Sequence, residues 1–405
     1  MRKTLFTIWL LLPFTLFFAK EDETISRYQA IETALEALKI TPDELSLRGK
    51  IDVDFFRFTL VDAAMEHPLH IPDIADSIVE HLEFSTGASF LTAAASIIDL
   101  EPASPVFKKH TDENPWSEQT NVPPKLRKAM DRLYAAFLDA QVDLSSAFSQ
   151  LDSFQIDSLF ERAPQYLMPG AEKLADEVDE SMLEDADMRE LEEERADERF
   201  FTLASRIDQQ FILDAAQRIT QAAWGAKELA NEVEPQPGDA IAPDTVAFGD
   251  IIYYAETEFG PFIIGGEGPT VYLLPCAVII DIGGDDEYRG GAGGTDTTLK
   301  FSVAIDMGGE DVYWSDASFS IGAALGGVGI LIDMKGNDHY RALHHSQGMG
   351  VFGWGILWDY EGDDIYAAHT GVQGAGFCGG GIVSVSYTHL RAHETSLHLV
   401  CRLLL

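Results

Sequence analysis

Four stretches of this chain carry the same carboxylates at the same spacing: VIIDIGGDDEY at 278–288, VAIDMGGEDVY at 303–313, ILIDMKGNDHY at 330–340 and ILWDYEGDDIY at 356–366. Each gives three apolar residues, an Asp, two variable positions, a Gly, an acid or amide, a second Asp, one further residue and a Tyr. The leading aspartates Asp281, Asp306, Asp333 and Asp359 follow one another at steps of 25, 27 and 26 residues. Oxygen-only side chains repeated in this way suit two kinds of chemistry. They can accept the backbone N–H groups of a tight turn, or they can hold a hard cation such as Ca²⁺, which takes oxygen ligands at about 2.4 Å.

The period decides how these residues meet. A unit of about 26 residues with short apolar runs and turn residues predicts a β-solenoid, in which each unit is one coil and buries its apolar face on its neighbours. Equivalent residues of successive coils then stack about 4.8 Å apart. Asp281, Asp306, Asp333 and Asp359 form one ladder, and Asp286, Asp311, Asp338 and Asp364 a second. Asp285, Glu310, Asn337 and Asp363 keep a side-chain oxygen at the position between. Two like charges at this spacing repel by about 0.8 kcal/mol in water and about 3 kcal/mol at an effective dielectric of 20. Something must neutralise them, and the sequence leaves two answers open: hydrogen bonds from turn N–H groups, or Ca²⁺ bridging neighbouring coils. All twelve residues are candidate ligands for the second. Tyr288, Tyr313, Tyr340 and Tyr366 should stack as an aromatic ladder, structural or sugar-binding.

A second block rides on the same period. Gly348, Gly350, Gly353 and Gly355 recur 26 residues later as Gly374, Gly376, Gly379 and Gly381. Small residues there let backbone approach backbone. The motif Gly is expected at φ > 0, and all-apolar triplets such as Ile330-Leu331-Ile332 are expected in strands covered on both faces. In composition and in its Gly-x-Asp core the segment resembles the calcium-binding nonapeptide repeats of secreted toxins and adhesins. It departs from them in period, so their ligand assignments do not carry over. Over 278–384 it is more similar to uncharacterised secreted bacterial proteins with Gly-Asn-Asp-x-Tyr repeats, a resemblance that implies a solenoid and no particular activity.

Only Gly49, Gly87, Gly170 and Gly225 of the 34 glycines precede residue 238. The chain therefore reads as an α + β multidomain protein: a signal peptide at 1–19, an α-helical domain at 20–233, a linker at 234–245 and a parallel β-solenoid (β-helix) at 246–384. Helices are expected from the apolar spacing of 126–141 and 204–224 and from the capping box Thr41-Pro42-Asp43-Glu44. The fourteen acidic residues between Glu172 and Glu198 read as a solvated helix or a docking strip for a basic partner. His67, His70 and His81 near Glu66 and Asp73 fit no familiar metal spacing. Cys276 and Cys378 are expected as buried thiols.

Arg2 and Lys3, an apolar run from Leu5 to Phe18 and the charges after Ala19 have the layout of an export signal, so the protein is expected to be secreted, periplasmic or at the cell surface. The final Val385–Leu405 breaks with the repeat and resembles a translated sequencing adapter. Register calls for an Asp at 385, so the solenoid is expected to be truncated there, with further coils and a cap missing. A net charge of −39 disfavours nucleic acid and anionic lipid, and no later run is long enough for stable membrane insertion. The expected function is structural or binding: a solenoid presenting an acidic, Ca²⁺-stabilised face to an extracellular polymer, a surface or a protein partner. The alternative is a polysaccharide-acting β-helix enzyme, a lyase or hydrolase, for which His339, His344, His345 and Arg341 are the residues that break the repeat. No catalytic residue is assigned.

Overall fold

A computed structural model of the chain describes residues 35–46, 58–83, 87–97, 99–101, 114–117, 119–166 and 195–385. The export segment, most of the acidic stretch 172–198 and the tail 386–405 lie outside the described residues. The chain divides into two compact units, Met1–Ser85 with Ala93–Asp99, and Thr86–Thr92 with Leu100–Leu405. The first holds helices α1 (Thr59–Glu66) and α2 (Ile71–Glu83). Thr41 and Glu44 bond each other across a four-residue 3₁₀ turn, Thr41 N to Glu44 Oε2 at 2.7 Å. Helix α3 (Ala88–Ile97) begins in the second unit and ends in the first.

In the second unit, α4 (Pro124–Ala147) starts with Pro at its first position, where the missing N–H costs nothing. Leu126, Met130, Leu133, Phe137, Ala140 and Leu144 make its buried stripe. α5 (Ser153–Tyr166) follows, and 195–204 is helical. The apolar spacing of 204–224 does not form one helix. The chain turns at 205–208, and Asp208 caps a new helix, α6 (Gln209–Ala230), by accepting Gln210 N–H at 3.0 Å. A carboxylate that reaches the second N–H of a helix is a better start than continuation. The alanine-rich face of α6 packs closely along α4.

The remainder is a β-solenoid opened by a hairpin, β1 (Ala247–Thr257) with β2 (Gly260–Tyr272). β2 pairs in parallel with both β3 (Val278–Asp281) and β4 (Glu287–Tyr288). From β3 the first side of the coil continues through β5 (Phe301–Asp306), β8 (Val328–Asp333), β11 (Trp354–Asp359) and β14 (Gly380–Val385), all parallel and without slip. From β4 the second side continues through β6 (Val312–Ser315), β9 (His339–Ala342) and β12 (Ile365–Ala367). The third is short: β7 (Ala324–Leu325), β10 (Gly350–Val351) and β13 (Gly376–Phe377). Asp281 to Tyr288 keeps one length in every coil, so the steps of 25, 27 and 26 arise in the return segment.

Strands β5, β8 and β11 are buried at all six positions. One side points into the coil, where Ile279, Ala304, Leu331 and Leu357 share a core with the tyrosines. The other meets the helices: Phe137 stacks on Phe301 at 5.3 Å, and Trp224 packs edge-on against Trp358 at 5.2 Å. The third side is covered too, with Phe160 on Phe352 at 6.1 Å and Phe200 on Phe377 at 6.1 Å. Residues 236–240 run along the hairpin, Gly238 N–H donating to Asp250 Oδ1 at 2.6 Å and Ala240 N–H to the Ile251 carbonyl at 2.8 Å. Among the described residues, no helix is long and apolar enough to cross a membrane.

Candidate metal centre

Side chains alternate along a strand, so Asp281, two residues after the inward Ile279, also points into the coil. Asp281, Asp306, Asp333 and Asp359 are each at most 1% exposed. Their Oδ1 atoms accept the N–H two residues on in the turn for the first three: Gly283 at 3.0 Å, Gly308 at 2.8 Å and Lys335 at 3.2 Å. Their Oδ2 atoms accept tyrosine hydroxyls. Tyr272 reaches Asp281 and Tyr288 reaches Asp306, both at 2.5 Å, Tyr313 and Tyr340 both reach Asp333, at 2.6 and 2.8 Å, and Tyr366 reaches Asp359. The five rings stack at 4.5–4.8 Å, within 12° of parallel. Burial raises the pKa of Tyr272, Tyr288, Tyr313 and Tyr340 well above 10, the aspartates adding to it, so the hydroxyls remain donors.

The second ladder ties coil to coil. Asp286 Oδ1 accepts Thr270 N–H at 2.6 Å, Asp311 Oδ1 accepts Asp286 N–H at 2.6 Å, Asp338 Oδ1 accepts Asp311 N–H at 2.6 Å, and Asp364 Oδ1 accepts Asp338 N–H at 2.9 Å. The motif glycine serves this contact. At Gly309, Gly336 and Gly362 φ is not positive; a Cβ would instead lie 1.7–2.2 Å from the carbonyl oxygen of the preceding coil's glycine. The expected left-handed turn holds only at Gly284 among the four motif glycines. Close approach, not chirality, requires the others.

Turn hydrogen bonds therefore account for part of the charge and leave the rest. Asp286, Asp311 and Asp338 are at most 2% exposed, and their Oδ2 atoms receive no N–H or O–H. The Oδ1 of Asp359 and the Oδ2 of the half-buried Asp364 are likewise without a donor. Burial, before any other cause, raises the pKa of Asp281, Asp286, Asp306, Asp311, Asp333, Asp338 and Asp359. Two groups of carboxylates converge: Asp286 with Asp306 and Asp311, and Asp311 with Asp333 and Asp338, their ligand oxygens all within 4.8 Å of one another. Ligands on opposite sides of a Ca²⁺ ion, each at about 2.4 Å, stand about that far apart. The donor set is all carboxylate oxygen, the kind that a hard cation takes.

The other sequence candidates lie apart. Asp285, Glu310, Asn337 and Asp363 are exposed at the turn, where Asp285 Oδ1 accepts Glu310 N–H at 3.0 Å and Asn337 Oδ1 accepts Asp363 N–H at 3.1 Å. His339 and Arg341 point outward from β9, while His345 is buried and stacked on Phe319 at 5.5 Å, with neither ring nitrogen bonded. His344, half-buried, sits with its ring 6.2 Å from that of His345 and 5.7 Å from that of His369, away from the outward-facing His339 and Arg341. His70 pairs locally with Asp73 at 3.3 Å. Cys276 is buried and Cys378 partly so, both free.

Sequence reading missed the first rung. IIGGEGPTVY at 263–272 aligns without gaps on IIDIGGDDEY at 279–288. Gly265 stands in the register of Asp281 and Thr270 in that of Asp286. A Cβ at Gly265 would lie 1.9 Å from Asp281 Oδ2 and 2.3 Å from the Tyr272 hydroxyl, so glycine leaves room for their bond. The shared apolar pair, Gly and Tyr are the signal that could have found it. At the other end Val385 takes the Asp register beside Asp359. No protein-family model matches this chain, and no curated protein or solved structure matches it either.

Proposed function

We propose that this chain is an exported structural or binding protein whose β-solenoid is clamped by Ca²⁺ held between successive coils. One observation carries the reading: three buried carboxylates, Asp286, Asp311 and Asp338, each keep an oxygen without a donor, in groups whose spacing suits Ca²⁺. Asp311 belongs to both groups, so neighbouring ions would share it. The layout of the first twenty residues supports export, to compartments where Ca²⁺ suffices for weak sites. The ladder aspartates face the interior and are not an acidic docking face. Substrate could not reach them, which favours a scaffold over the alternative of polysaccharide cleavage, whose acid and base must touch the sugar.

Melting the full chain with chelator and with Ca²⁺ tests this. Ca²⁺ at about 100 times its dissociation constant adds about 2.7 kcal/mol per site, a rise in Tm of roughly 5–10 °C. Asp311→Asn gives opposite signs: unchanged or higher Tm in chelator, where a neutral amide still accepts Asp286 N–H, and a lost response to Ca²⁺. A Tm indifferent to millimolar Ca²⁺ in the wild-type chain would overturn the reading.

A further inference from the structure

The solenoid has three sides, and the described helices cover two of them. Its second side is exposed among the described residues. Along β6 and β9 residues alternate exposed and buried, with the tyrosines inside. The outward residues form two rows in register: Glu287, Val312, His339 and Ile365, then Trp314, Arg341 and Ala367. Trp314 is 41% exposed and stacks on no other ring among the described residues. Arg341, its partner in register on the next coil, is exposed and makes no ion pair among the described residues.

This side carries Arg289 and Arg341 against Glu287, with the exposed acids Asp285, Glu310 and Asp363 at the turn that precedes it. Between 246 and 384 the only lysines and arginines are Arg289, Lys300, Lys335 and Arg341. Lys300 sits over the Phe160 ring at 4.7 Å. Arg341 stands in register with Trp314, and Glu287 engages Arg289 through both oxygens, at 2.8 and 2.7 Å. Arg341 is left as an open planar fork beside a flat ring, coils being about 4.8 Å apart.

From this juxtaposition we infer that the open side binds an acidic polysaccharide, one sugar ring lying on Trp314 while the carboxylate of a uronic acid engages Arg341. An indole face takes the apolar face of a sugar, and a guanidinium takes a carboxylate through two parallel hydrogen bonds. The overall charge of −39 opposes a polyanion at long range, but screening confines that field to about 8 Å at physiological ionic strength. A nucleic acid, which needs many phosphate contacts, finds a single free arginine here. The inference rests on the reading of the chain as a binding solenoid and names its ligand class.

The test titrates the full chain, with Ca²⁺ present, against short oligogalacturonates, a neutral soluble β-glucan and a single-stranded oligonucleotide, following tryptophan fluorescence and heat. Oligogalacturonate binds, more weakly as salt rises; Trp314→Ala and Arg341→Gln each weaken it by about tenfold or more, with Tm unchanged. Equal binding of the neutral glucan, preference for the oligonucleotide, or a dimer of this chain broken by Trp314→Ala overturns the inference. If the wild type binds uronate and neither variant weakens it, this side is wrong and the binding reading stands. If it binds none of the polymers, the polymer reading falls with it, and the Ca²⁺ melts remain a separate result.

Discussion

At the scale of residues, the ladder works because each tyrosine gives its hydroxyl to a buried carboxylate. The pairing is uneven. Asp281 has Tyr272 as its hydroxyl donor, whereas Asp333 receives both Tyr313 and Tyr340. Tyr272→Phe should therefore cost about 1–3 kcal/mol, the penalty for a buried acceptor left without its donor. Tyr340→Phe, which leaves Asp333 its bond to Tyr313, should cost clearly less. Chemical denaturation of the two variants in parallel checks this; equal costs would mean that the second hydroxyl on Asp333 is not redundant.

At the scale of elements, the apolar strands of the first side need a cover, and α4 and α6 supply it. Phe137 is the centre of that contact, meeting Phe259, Phe262 and Phe301 at 5.3–6.0 Å. Phe137→Ala should cost about 3–5 kcal/mol and lower Tm by the order of 10 °C. Because α4, α6 and the coils belong to one compact unit, far-ultraviolet helix signal and near-ultraviolet tyrosine signal should fall together, before and after the substitution. A tyrosine signal that survives the loss of helix would show that the coils stand without their cover.

At the scale of the whole molecule, the ladder couples stability to pH. Burial pushes Asp306 up to about 6, Asp286 and Asp338 up to about 7, and Asp359 up to about 8. In the unfolded chain the same groups titrate near 3.9. A folded-state pKa above the unfolded one means that the stabilisation is complete below about pH 4 and is lost as pH rises through these folded values. The chelated protein should melt lower at about pH 8 than at about pH 5. Saturating Ca²⁺ should reduce or reverse the difference, since the ion binds deprotonated carboxylates. Surface self-repulsion acts in the same direction, so Asp338→Asn, which removes one titrating ladder group, should flatten the slope; an unchanged slope would assign the effect to the surface.

The repeat was legible without coordinates because a solenoid's register is one-dimensional. Once the period is known, Asp281, Asp306, Asp333 and Asp359 must coincide, as must Tyr288, Tyr313, Tyr340 and Tyr366, and the pairing follows both sets without slip. Sidedness was not legible. A strand such as Ile330-Leu331-Ile332 is apolar throughout, so it carries no alternation to say which residues enter the coil and which meet a helix. Only the packing of α4 and α6 on one side of these strands turns Asp333 inward with Leu331. The same dependence on packing holds for Gly265 and Tyr272, whose alignment is visible in the sequence but whose place in the ladder comes from one long strand, β2, lying beside two short ones. It holds for Gly309 as well, whose lack of a side chain answers to a carbonyl 25 residues earlier in the chain. Spacing along a chain determines which residues stack; which way they face depends on what covers each side, and that is a property of three-dimensional packing.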